Sequence, residues 1–459
     1  MPESNKNVRI ITLGCAKNDV DSEEIAGVLR SQGHEVGDSG SADVTIINTC
    51  GFLESAKQES IAAIRKAVAE KGAGKVIVAG CLAQRMGEEL AKLAPGADSY
   101  VGVGQMARFG EIVESVFAHH EPVIDVEPPH HRWADVPTRA RSGRPWSSYL
   151  KVSEGCDHRC TFCTIPSFRG NHDSKPIERV VEEARHLAAT GTKEINLIAQ
   201  DVTQYGYDLY KEFTLPKLLR ELNQVDGIEW IRLLYFYPNR LTDDVIEAMA
   251  TLDKVVPYID IPLQHTHSDV LRRMKRPWDG DRYLAIFEKV RSAIPEVAIR
   301  TTFIVGFPGE TDAEFRHMVD FVQAAKLDRV GAFTFSREPG TPAHDMDGQV
   351  PKKIKDERYD RLMRAQKPIS LGINKGWEGK SIRVLVDEVK DGWMAGRSFR
   401  DAPEIDGWVY AKGDAQPGQF VEVRITEGRE YDLIGHIAGS EPPKRQLIPL
   451  QMSSGQSPL

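Results

Sequence analysis

Six cysteines are the residues of this sequence best suited to chemistry, and three of them share one short stretch. Cys156, Cys160 and Cys163 lie within GCDHRCTFC, at spacings of four and three residues. A structural zinc site and a closed iron–sulfur cluster each take four protein ligands. Three thiolates can instead hold three irons of a [4Fe–4S] cluster and leave the fourth iron open. An open iron can chelate a small molecule through an amine and a carboxylate.

The alternative for this stretch is a structural zinc site whose fourth ligand lies elsewhere in the chain. His158 and His172 are the candidates, because an imidazole nitrogen often completes such sites. Both histidines are more simply interpreted as solvent-facing or packed side chains, so the open cluster is the favoured hypothesis.

The other three cysteines are far apart in sequence but occupy equivalent places. Cys15, Cys50 and Cys81 each follow an apolar run directly, in VRIITLGC, VTIINTC and KVIVAGC. If these runs are parallel strands, all three thiols lie at one edge of a sheet, where open α/β sheets bind ligands. A single such cysteine could be a small buried hydrophobe, and a catalytic disulfide would use two and leave one over. A second open cluster uses all three.

The elements that must position these cysteines follow from alternating apolar and helical runs, which predict an α/β protein. Residues 1–124 read as an open parallel α/β sheet domain. Residues 148–370 contain six further strand–helix units, which predict a partial TIM-type (β/α)6 barrel with its chemistry at the carboxyl ends of the strands. Residues 371–440 read as a small all-β barrel. A proline-rich linker is expected at 125–147 and a mobile tail at 441–459.

The composition is that of an ordinary globular protein and limits the cellular compartments in which we expect the protein. The 459 residues are 41% hydrophobic and 27% charged, with a net charge of −8. The sequence has neither a run of about 18 apolar residues, as a membrane span needs, nor the apolar core of a signal peptide. We therefore expect a cytoplasmic protein without membrane contact, in which cysteines serve as metal or redox ligands before they form disulfides.

The three-cysteine motif directly after the first barrel strand resembles the radical S-adenosylmethionine (SAM) superfamily. The resemblance implies a [4Fe–4S] cluster on the first triplet, with SAM on its open iron. Contacts to SAM are then expected in the cysteine loop and at strand ends. They are Phe162, Val305 and Gly306 near the adenine, Gln200 and Asp201 near the aminoacyl part, and Gln264 and His265 near the ribose. Lys151, Tyr237 and Arg300 are expected to face the same site, and no residue is assigned as an acid or base.

A wider resemblance, over residues 8–440, is to the methylthiotransferases. The stretch SEGCDHRCTFCTIPSFRG is similar to the core motif of that family, whose C-terminal barrel is called TRAM. Members insert sulfur into an unactivated C–H bond and methylate it. One branch modifies adenosines of tRNA, and the other an aspartate of small-subunit ribosomal protein S-twelve. TLGCAKNDVDSE and DIPLQHTHSDVLRRMKRP resemble the ribosomal-protein branch, whereas the tRNA branch usually has GCQMN-like and PVQSGS-like stretches.

This resemblance implies a reaction that forms 3-methylthioaspartate with two molecules of SAM. One SAM, at Cys156, Cys160 and Cys163, is the radical source, and the other donates the methyl group. A second [4Fe–4S] cluster, on Cys15, Cys50 and Cys81, is expected to carry sulfur from sulfide or polysulfide. An external electron donor is implied, and the family leans towards a monomer.

The charge of the C-terminal barrel bears on the choice of substrate. Residues 371–438 carry nine lysines and arginines and twelve acidic residues, a net charge of −3. An RNA-binding barrel is expected to be basic, whereas an acidic one can dock onto a basic ribosomal protein. The sequence thus favours the ribosomal protein and predicts no tRNA substrate. A tRNA adenosine methylthiotransferase is the nearer alternative, and a non-catalytic iron–sulfur electron carrier the more distant one.

Overall fold

In the computed structural model, which describes residues 5–37, 42–119, 121–129, 133 and 139–439, the N-terminal apolar runs form one parallel sheet. Strands buried on both faces are typical of parallel sheets that helices cover. The strands are β1 (Asn7–Thr12), β2 (Glu35–Gly37), β3 (Val44–Thr49), β4 (Lys75–Gly80), β5 (Ser99–Val101) and β6 (Val123–Asp125). The helices are α1 (Ala16–Ser31), α2 (Glu54–Glu70), α3 (Cys81–Met86), α4 (Glu88–Leu93) and α5 (Phe109–Ala118). The strand order is β2-β1-β3-β4-β5-β6.

This sheet differs from the sequence expectation at its edges and in two helices. Strands β2 and β6 were not expected, because they are three residues long and contain no buried residue. The pattern of residues 84–93 predicts one helix, whereas the structure has two, α3 and α4, which meet at Gly87 with a φ of +46°. The pattern near 21–32 also predicts a helix. Helix α1 begins earlier, at Ala16, and the apolar pattern misses its first turns because they are polar yet buried.

The central segment forms six parallel strands in the order of a partial barrel. They are β7 (Ser147–Lys151), β10 (Glu194–Ile198), β11 (Trp230–Leu233), β12 (Tyr258–Asp260), β13 (Ala298–Val305) and β14 (Arg329–Thr334). Two short strands, β8 (Ser153–Glu154) and β9 (Asp173–Ser174), pair with each other beside it. The bridge between Ile231 and Val255 joins the sheet β11-β10-β7 to the sheet β12-β13-β14. The predicted six-unit α/β architecture is therefore present.

Helices cover the outside of this barrel and complete its core. They are α6 (Ile165–Arg169), α7 (Ile177–Ala189), α8 (Tyr207–Tyr210), α9 (Leu215–Asn223), α10 (Asp243–Thr251), α11 (Ser268–Arg273), α12 (Gly280–Ala293) and α13 (Asp312–Ala325). Most present an apolar stripe to the strands, as the buried Val180, Ala184 and Leu187 do on α7.

A long helix leads into the C-terminal barrel. Helix α14 (Lys352–Lys375) is followed by β15 (Ser381–Lys390), β16 (Trp393–Ser398), β17 (Val409–Lys412), β18 (Phe420–Gly428) and β19 (Leu433–Ile437). These five strands close in the order β15-β16-β17-β19-β18, so the predicted small all-β barrel is confirmed as a fold. The limits of the predicted domains remain predictions. The tail 441–459 and most of 130–138 in the linker lie outside the described residues.

Buried ion pairs attach the C-terminal barrel to the central one. The guanidinium of Arg397 contacts both Asp387 and Glu194, and Glu194 also accepts from Arg232 at 3.1 Å. The side chains of these four residues are almost fully buried. Apolar contacts between Val20 of α1, barrel residues and Ala402 extend the same interface. All three segments therefore share one interior. Within the described ranges, no helix is both long and apolar enough to cross a membrane.

A carboxyl group lies in the same interface without a cation beside it. Burial raises the pKa of Asp19, on α1, to about 7, and the charges of Glu404, Glu23 and Asp21 add to the shift. The folded-state pKa thus lies above the unfolded value of 3.8. The folded protein holds this proton more tightly, so the associated stability is lost as the pH rises through 7.

Replacing Asp19 by asparagine is therefore expected to raise the Tm at pH 8, because the variant has no charge to bury. The gain should shrink as the pH falls and vanish below about pH 3, where the carboxyl group is protonated in both states. Calorimetry over this pH range measures the difference. Asp226→Asn, at an exposed loop position, is the control and should not change the Tm. A gain for Asp19→Asn that is independent of pH would contradict the burial of a charge.

Candidate functional site

The first cysteine triplet lies in a loop that backbone hydrogen bonds fold tightly. It follows β8, at the carboxyl end of the first barrel strand. The amide of Cys156 donates to the Gly170 carbonyl at 3.0 Å, and the amide of Cys163 donates to the Cys160 carbonyl at 3.1 Å. The amide of Thr161 donates to the Met274 carbonyl at 3.1 Å, which ties the loop to the segment after α11. The loop is therefore ordered by its own backbone.

In this triplet Cys156 and Cys160 are buried and Cys163 is half-buried, and the three thiols are close enough to interact electrostatically. Burial raises the pKa of Cys156 and of Cys163 to about 12, and the charge of Cys160 adds to both shifts. The Nη1 atom of Arg276 lies 4.0 Å from the Cys160 sulfur. Thiolates in such surroundings need a strong cation, and three thiolates that converge without a fourth protein ligand fit an open [4Fe–4S] cluster.

The second triplet occupies the ends of three strands, β1, β3 and β4, which are neighbours in the sheet. A Cβ atom built at Gly14 would lie 2.7 Å from the Cβ of Cys50 and 3.0 Å from its sulfur, so the Cys15 and Cys50 loops touch. The side-chain amide of Asn18 joins these loops by donating to the carbonyls of Leu13 at 2.6 Å and Thr49 at 3.2 Å.

Burial also raises the pKa of two thiols in the second triplet. It raises the pKa of Cys50, and it raises that of Cys81 to about 12 although Arg169 opposes the shift. All six cysteines belong to the described residues and all are free thiols, so the disulfide alternative has no support. The same donor chemistry as in the first triplet fits a second open cluster.

The guanidinium of Arg169 connects the two triplets. Arg169 ends helix α6, which begins two residues after Cys163. Its Nε and Nη2 atoms lie 3.3 and 3.2 Å from the sulfur of Cys81. It also donates to Glu154 at 2.7 Å, to Asp21 at 2.8 Å and to the side-chain oxygen of Asn18 at 2.8 Å. A residue of the first cysteine loop thus hydrogen-bonds a ligand candidate of the second.

A second buried cation reinforces this contact from the barrel side. The ammonium of Lys151, on β7, lies 2.6 Å from Asp21, 3.2 Å from Glu24 and 3.2 Å from Glu154. All these side chains are at least nine-tenths buried. Lys151 was expected to face the SAM site. It is instead enclosed by carboxylates at the contact between α1 and the barrel.

Lys17 and Tyr235 lie between the two triplets. Lys17, in the first turn of α1, places its ammonium 3.8 Å from the centre of the Tyr235 ring. Burial lowers the pKa of Lys17, and the charges of Cys15, Glu154 and Asp260 oppose the shift. Tyr235 follows β11 with a φ of +66°, and its amide donates to Asp260 at 3.2 Å.

The residues expected to contact the aminoacyl part of SAM differ in their capacity to do so. The Gln200 amide donates to Glu154 at 3.1 Å, and its oxygen is buried with no hydrogen-bond partner among the described residues. An ammonium group of a ligand would satisfy that oxygen. Asp201 already accepts two hydrogen bonds from Thr203 and contacts His158 at 2.8 Å and Arg240 at 3.3 Å. Its four acceptor positions are occupied.

The residues expected near the adenine have different surroundings. Phe162 lies in an apolar cluster, Val305 belongs to the barrel core, and Gly306 follows it at the strand end. Phe162 packs in its cluster with Phe307 and Phe335. Val305 is fully buried at the end of β13. Gly306 has a φ of +72°, and a Cβ atom there would lie 2.4 Å from the Lys355 side chain. Glycine is therefore required at this strand end by conformation and space, independently of any ligand.

The residues expected near the ribose are bonded mainly within the protein. The backbone of Gln264 pairs with Thr302 and Ile304 of β13. His265 is fully buried with its Nε2 3.5 Å from the Glu310 carboxylate, and burial lowers its pKa. Their contact with SAM, like that of the other candidates, stays a prediction.

The two histidines of the zinc alternative are engaged elsewhere. The Nε2 atom of His158 lies 2.8 Å from Asp201, and its ring stacks on Tyr237 with 3.5 Å between centroids. The Nε2 atom of His172 lies 3.0 Å from the Ser174 hydroxyl. Tyr237 therefore braces the cysteine loop, and Arg300, expected at the same site, is paired with Asp260 at 2.7 Å.

Several site residues were missed by sequence reasoning. They are Lys17, Asn18, Arg169, Tyr235 and Arg276. In a sequence, polar residues that follow strands are usually interpreted as solvent-exposed loop residues. Only the burial of their side chains in the structure shows that they belong to the site. The available signal was position, because Lys17 and Asn18 directly follow a cysteine loop and Arg169 ends the core motif.

Replacing Arg169 by methionine is expected to lower the free energy of unfolding by about 3–5 kcal/mol, because Asp21 and Glu154 would lose a buried cation. Urea unfolding followed by circular dichroism measures the loss. The control is Arg179→Met, which removes a largely exposed ion pair with Glu182 and should stay within about 0.5 kcal/mol of the parent. Equal stability of the two variants would show that the network does not hold the segments together.

Three family models match successive parts of the chain. Residues 7–102 match "Uncharacterized protein family UPF0004", residues 150–322 match "Radical SAM superfamily", and residues 379–438 match "TRAM domain". Each match coincides with one of the folded segments described above.

Solved structures support the fold over most of the chain. The radical S-adenosylmethionine methyltransferase TsrM from Kitasatospora setae, with cobalamin and a [4Fe–4S] cluster bound, has a TM-score of 0.57 at 14% identity, covering 88% of this chain and 82% of its own. The cobalamin-dependent radical enzyme OxsB has a TM-score of 0.54 at 13% identity, covering 80% of this chain and 56% of its own. These similarities concern the fold alone.

Curated relatives are similar over nearly their full length. A protein of Moorella thermoacetica named "Ribosomal protein uS12 methylthiotransferase RimO" is 48% identical, covering 94% of this chain and 99% of its own. Proteins with the same name from Desulforamulus reducens and Geobacter sulfurreducens are 44% and 43% identical, covering 94% and 95% of this chain and 99% and 100% of their own. With this identity sustained through all three segments, the chain belongs to the RimO family of ribosomal protein uS12 methylthiotransferases.

Proposed function

We propose that the chain is a radical SAM methylthiotransferase that places a methylthio group on the β-carbon of an aspartate in ribosomal protein uS12, giving 3-methylthioaspartate. Here uS12 is the small-subunit protein S-twelve. The observation that carries the proposal is the Arg169 contact, which joins the loop of one open triplet to Cys81 of the other. Two open triplets at one interface suit a reaction in which a carbon activated at one is joined to sulfur held at the other.

The residues present fit the cofactors that this function requires. Cys156, Cys160 and Cys163 would hold the cluster that binds SAM, and the second triplet would hold the other. When bound, the first cluster would supply the electron that cleaves SAM, and the second would carry the sulfur. The buried, unpartnered oxygen of Gln200 is suited to the SAM ammonium.

The chain's own residues would orient the bound groups and exclude water. Tyr237 and Asp201 hold His158 from two sides, which fixes the first cysteine loop. Phe162 lies in an apolar cluster suited to a nucleobase ring. The N–H groups of Arg169 donate to Cys81, and hydrogen bonds to ligand sulfurs tune the potential of a cluster.

The remaining partners follow from the same proposal. An external protein or small molecule would supply electrons, as the family resemblance implies. Sulfide or polysulfide would supply the sulfur. We infer action as a monomer in the cytoplasm, where uS12 is made. The acidic C-terminal barrel, with its net charge of −3 over 371–438, suits a basic protein better than tRNA.

The two triplets should be separable by mutation. Cys15→Ala is expected to abolish methylthio transfer and to leave reductive SAM cleavage, because only the second triplet is broken. Cys160→Ala is expected to abolish 5′-deoxyadenosine formation. Both products are measured by mass spectrometry after anaerobic incubation with SAM, sulfide and dithionite.

Iron content is the control for both variants, and each should keep about half of the parent's iron if one cluster survives. Loss of both activities in Cys15→Ala at half the iron content would contradict separate roles. Continued 5′-deoxyadenosine formation by Cys160→Ala would overturn the radical SAM assignment.

The substrate is decided by offering uS12 and tRNA to the same reconstituted enzyme. A mass increase of one methylthio group on an aspartate of uS12, with unmodified tRNA, is the expected result. Modified adenosine in tRNA with unchanged uS12 would support the tRNA alternative. SAM consumption without either product would argue against both substrates, and no SAM consumption would favour the electron carrier.

A further inference from the structure

Lys17 stands out among the buried cations between the triplets because it lacks an anionic contact. The residue is 8% exposed. Its ammonium lies over the Tyr235 ring at 3.8 Å, and within the described part of the chain it makes neither a hydrogen bond nor an ion pair. A buried ammonium is costly without a charge partner. Among the described residues, the fold therefore supplies no carboxylate in contact with Lys17.

The carboxylates nearest to Lys17 are committed to other groups. Both oxygens of Glu154 are in use, one by Arg169 and Lys151 and the other by Gln200. The two oxygens of Asp260 accept from Arg300 at 2.7 Å and from the Tyr235 amide at 3.2 Å. Neither carboxylate can turn to Lys17 without leaving another buried donor unpaired.

The other buried cations of this interface are already paired. Arg169 contacts Asp21 and Glu154, and Lys151 contacts the same two carboxylates and Glu24. Arg300 contacts Asp260 and lies 3.6 Å from Asp406. Arg276, beside the Cys160 sulfur, donates to the Pro262 carbonyl. Among the described residues of this interface, Lys17 is thus the buried cation that makes neither a hydrogen bond nor an ion pair.

Lys17 also lies beside residues of both triplets. It follows Cys15, an exposed residue, by two positions. On its other side is Tyr235, at the carboxyl end of the barrel strand that leads to Tyr237 and the first cysteine loop. An anion on Lys17 would therefore lie between the two triplets.

We propose that Lys17 binds the side-chain carboxylate of the substrate aspartate. The inference rests on the proposed function, in which the target residue brings this group into the site. The carboxylate is bonded directly to the β-carbon, so a residue that fixes the carboxylate also fixes the carbon that loses hydrogen and gains sulfur. Lys17 is a positioning residue in this account, and its charge distinguishes aspartate from neutral side chains.

The test pairs a change in the enzyme with a change in the substrate. Anaerobic holoenzyme is titrated with uS12 and with uS12 whose target aspartate is replaced by asparagine. In the parent enzyme the asparagine substrate should bind on the order of 100-fold more weakly, as when one partner of a buried charge pair is removed. In Lys17→Met the two substrates should bind within about twofold of each other, because the charge that distinguishes them is gone.

A second measurement tests whether the substrate aspartate is correctly positioned. With uS12 deuterated at the aspartate β-carbon, the parent should transfer deuterium from that carbon to the 5′-carbon of 5′-deoxyadenosine. Lys17→Met should still cleave SAM, with a raised KM for uS12 and at least about tenfold less deuterium transfer. Lys17→Arg retains the charge and should recover much of the discrimination between the two substrates. Lys66→Met, at an exposed position of α2, is the matched control and should behave as the parent.

Three outcomes would overturn the inference. One is a parent enzyme that binds the aspartate and asparagine substrates equally, a result that needs no enzyme variant to fold. Another is a Lys17→Met enzyme that keeps the full discrimination. The third is a Lys17→Met enzyme that binds uS12 and transfers deuterium normally yet makes no methylthio product, which would assign Lys17 to the sulfur. A parent enzyme that never modifies uS12 would instead overturn the proposed function, so the two failures are distinguishable.

Discussion

The buried charges around Arg169 are the interaction on which the rest of the site depends. Arg169 and Lys151 are enclosed with Asp21, Glu24 and Glu154 at the contact between α1 and the first barrel strand. Buried charges are tolerated only when their partners are in place. Apolar surfaces could slide over one another, whereas this network is satisfied in one arrangement. That arrangement brings the sulfur of Cys81 to the guanidinium that ends the first cysteine motif.

The two cysteine triplets are built by the same physical device. In each, parallel strands end at a common edge, and the loops that follow carry the thiols. The open parallel sheet contributes three strand ends, and the barrel contributes one loop held by Tyr237, His158 and Asp201. Docking the two edges against each other brings two separate ligand sets into one site. The C-terminal barrel stabilises this docking from the side, through Arg397 and its buried carboxylates.

Burial has opposite meanings for the charged residues of this site. Asp201 is saturated with hydrogen bonds from its own chain, so its charge holds structure in place. Lys17 is buried with an aromatic ring beside it, and no carboxylate of the described residues contacts it, which is why we propose that its charge serves a ligand. Whether a buried charge stabilises the fold or can bind a ligand thus depends on how many partners the fold supplies to it. The residue type alone does not indicate that number.

The α/β class, the six-unit barrel, the all-β barrel and both cysteine triplets could be predicted from the sequence, because these features depend on periodicity and on spacing along the chain. Sequence reasoning placed the start of α1 too late, because the stretch KNDVDSEE has the composition of a solvated surface although most of it is buried. It also missed the edge strands β2 and β6, whose side chains are not buried. The contact between Arg169 and Cys81, and the absence of a described carboxylate beside Lys17, became known from the folded structure. A buried charge can pair with a residue that is distant in sequence. Arg169, for example, contacts residues 88 and more positions away, and no local sequence pattern indicates such a partner.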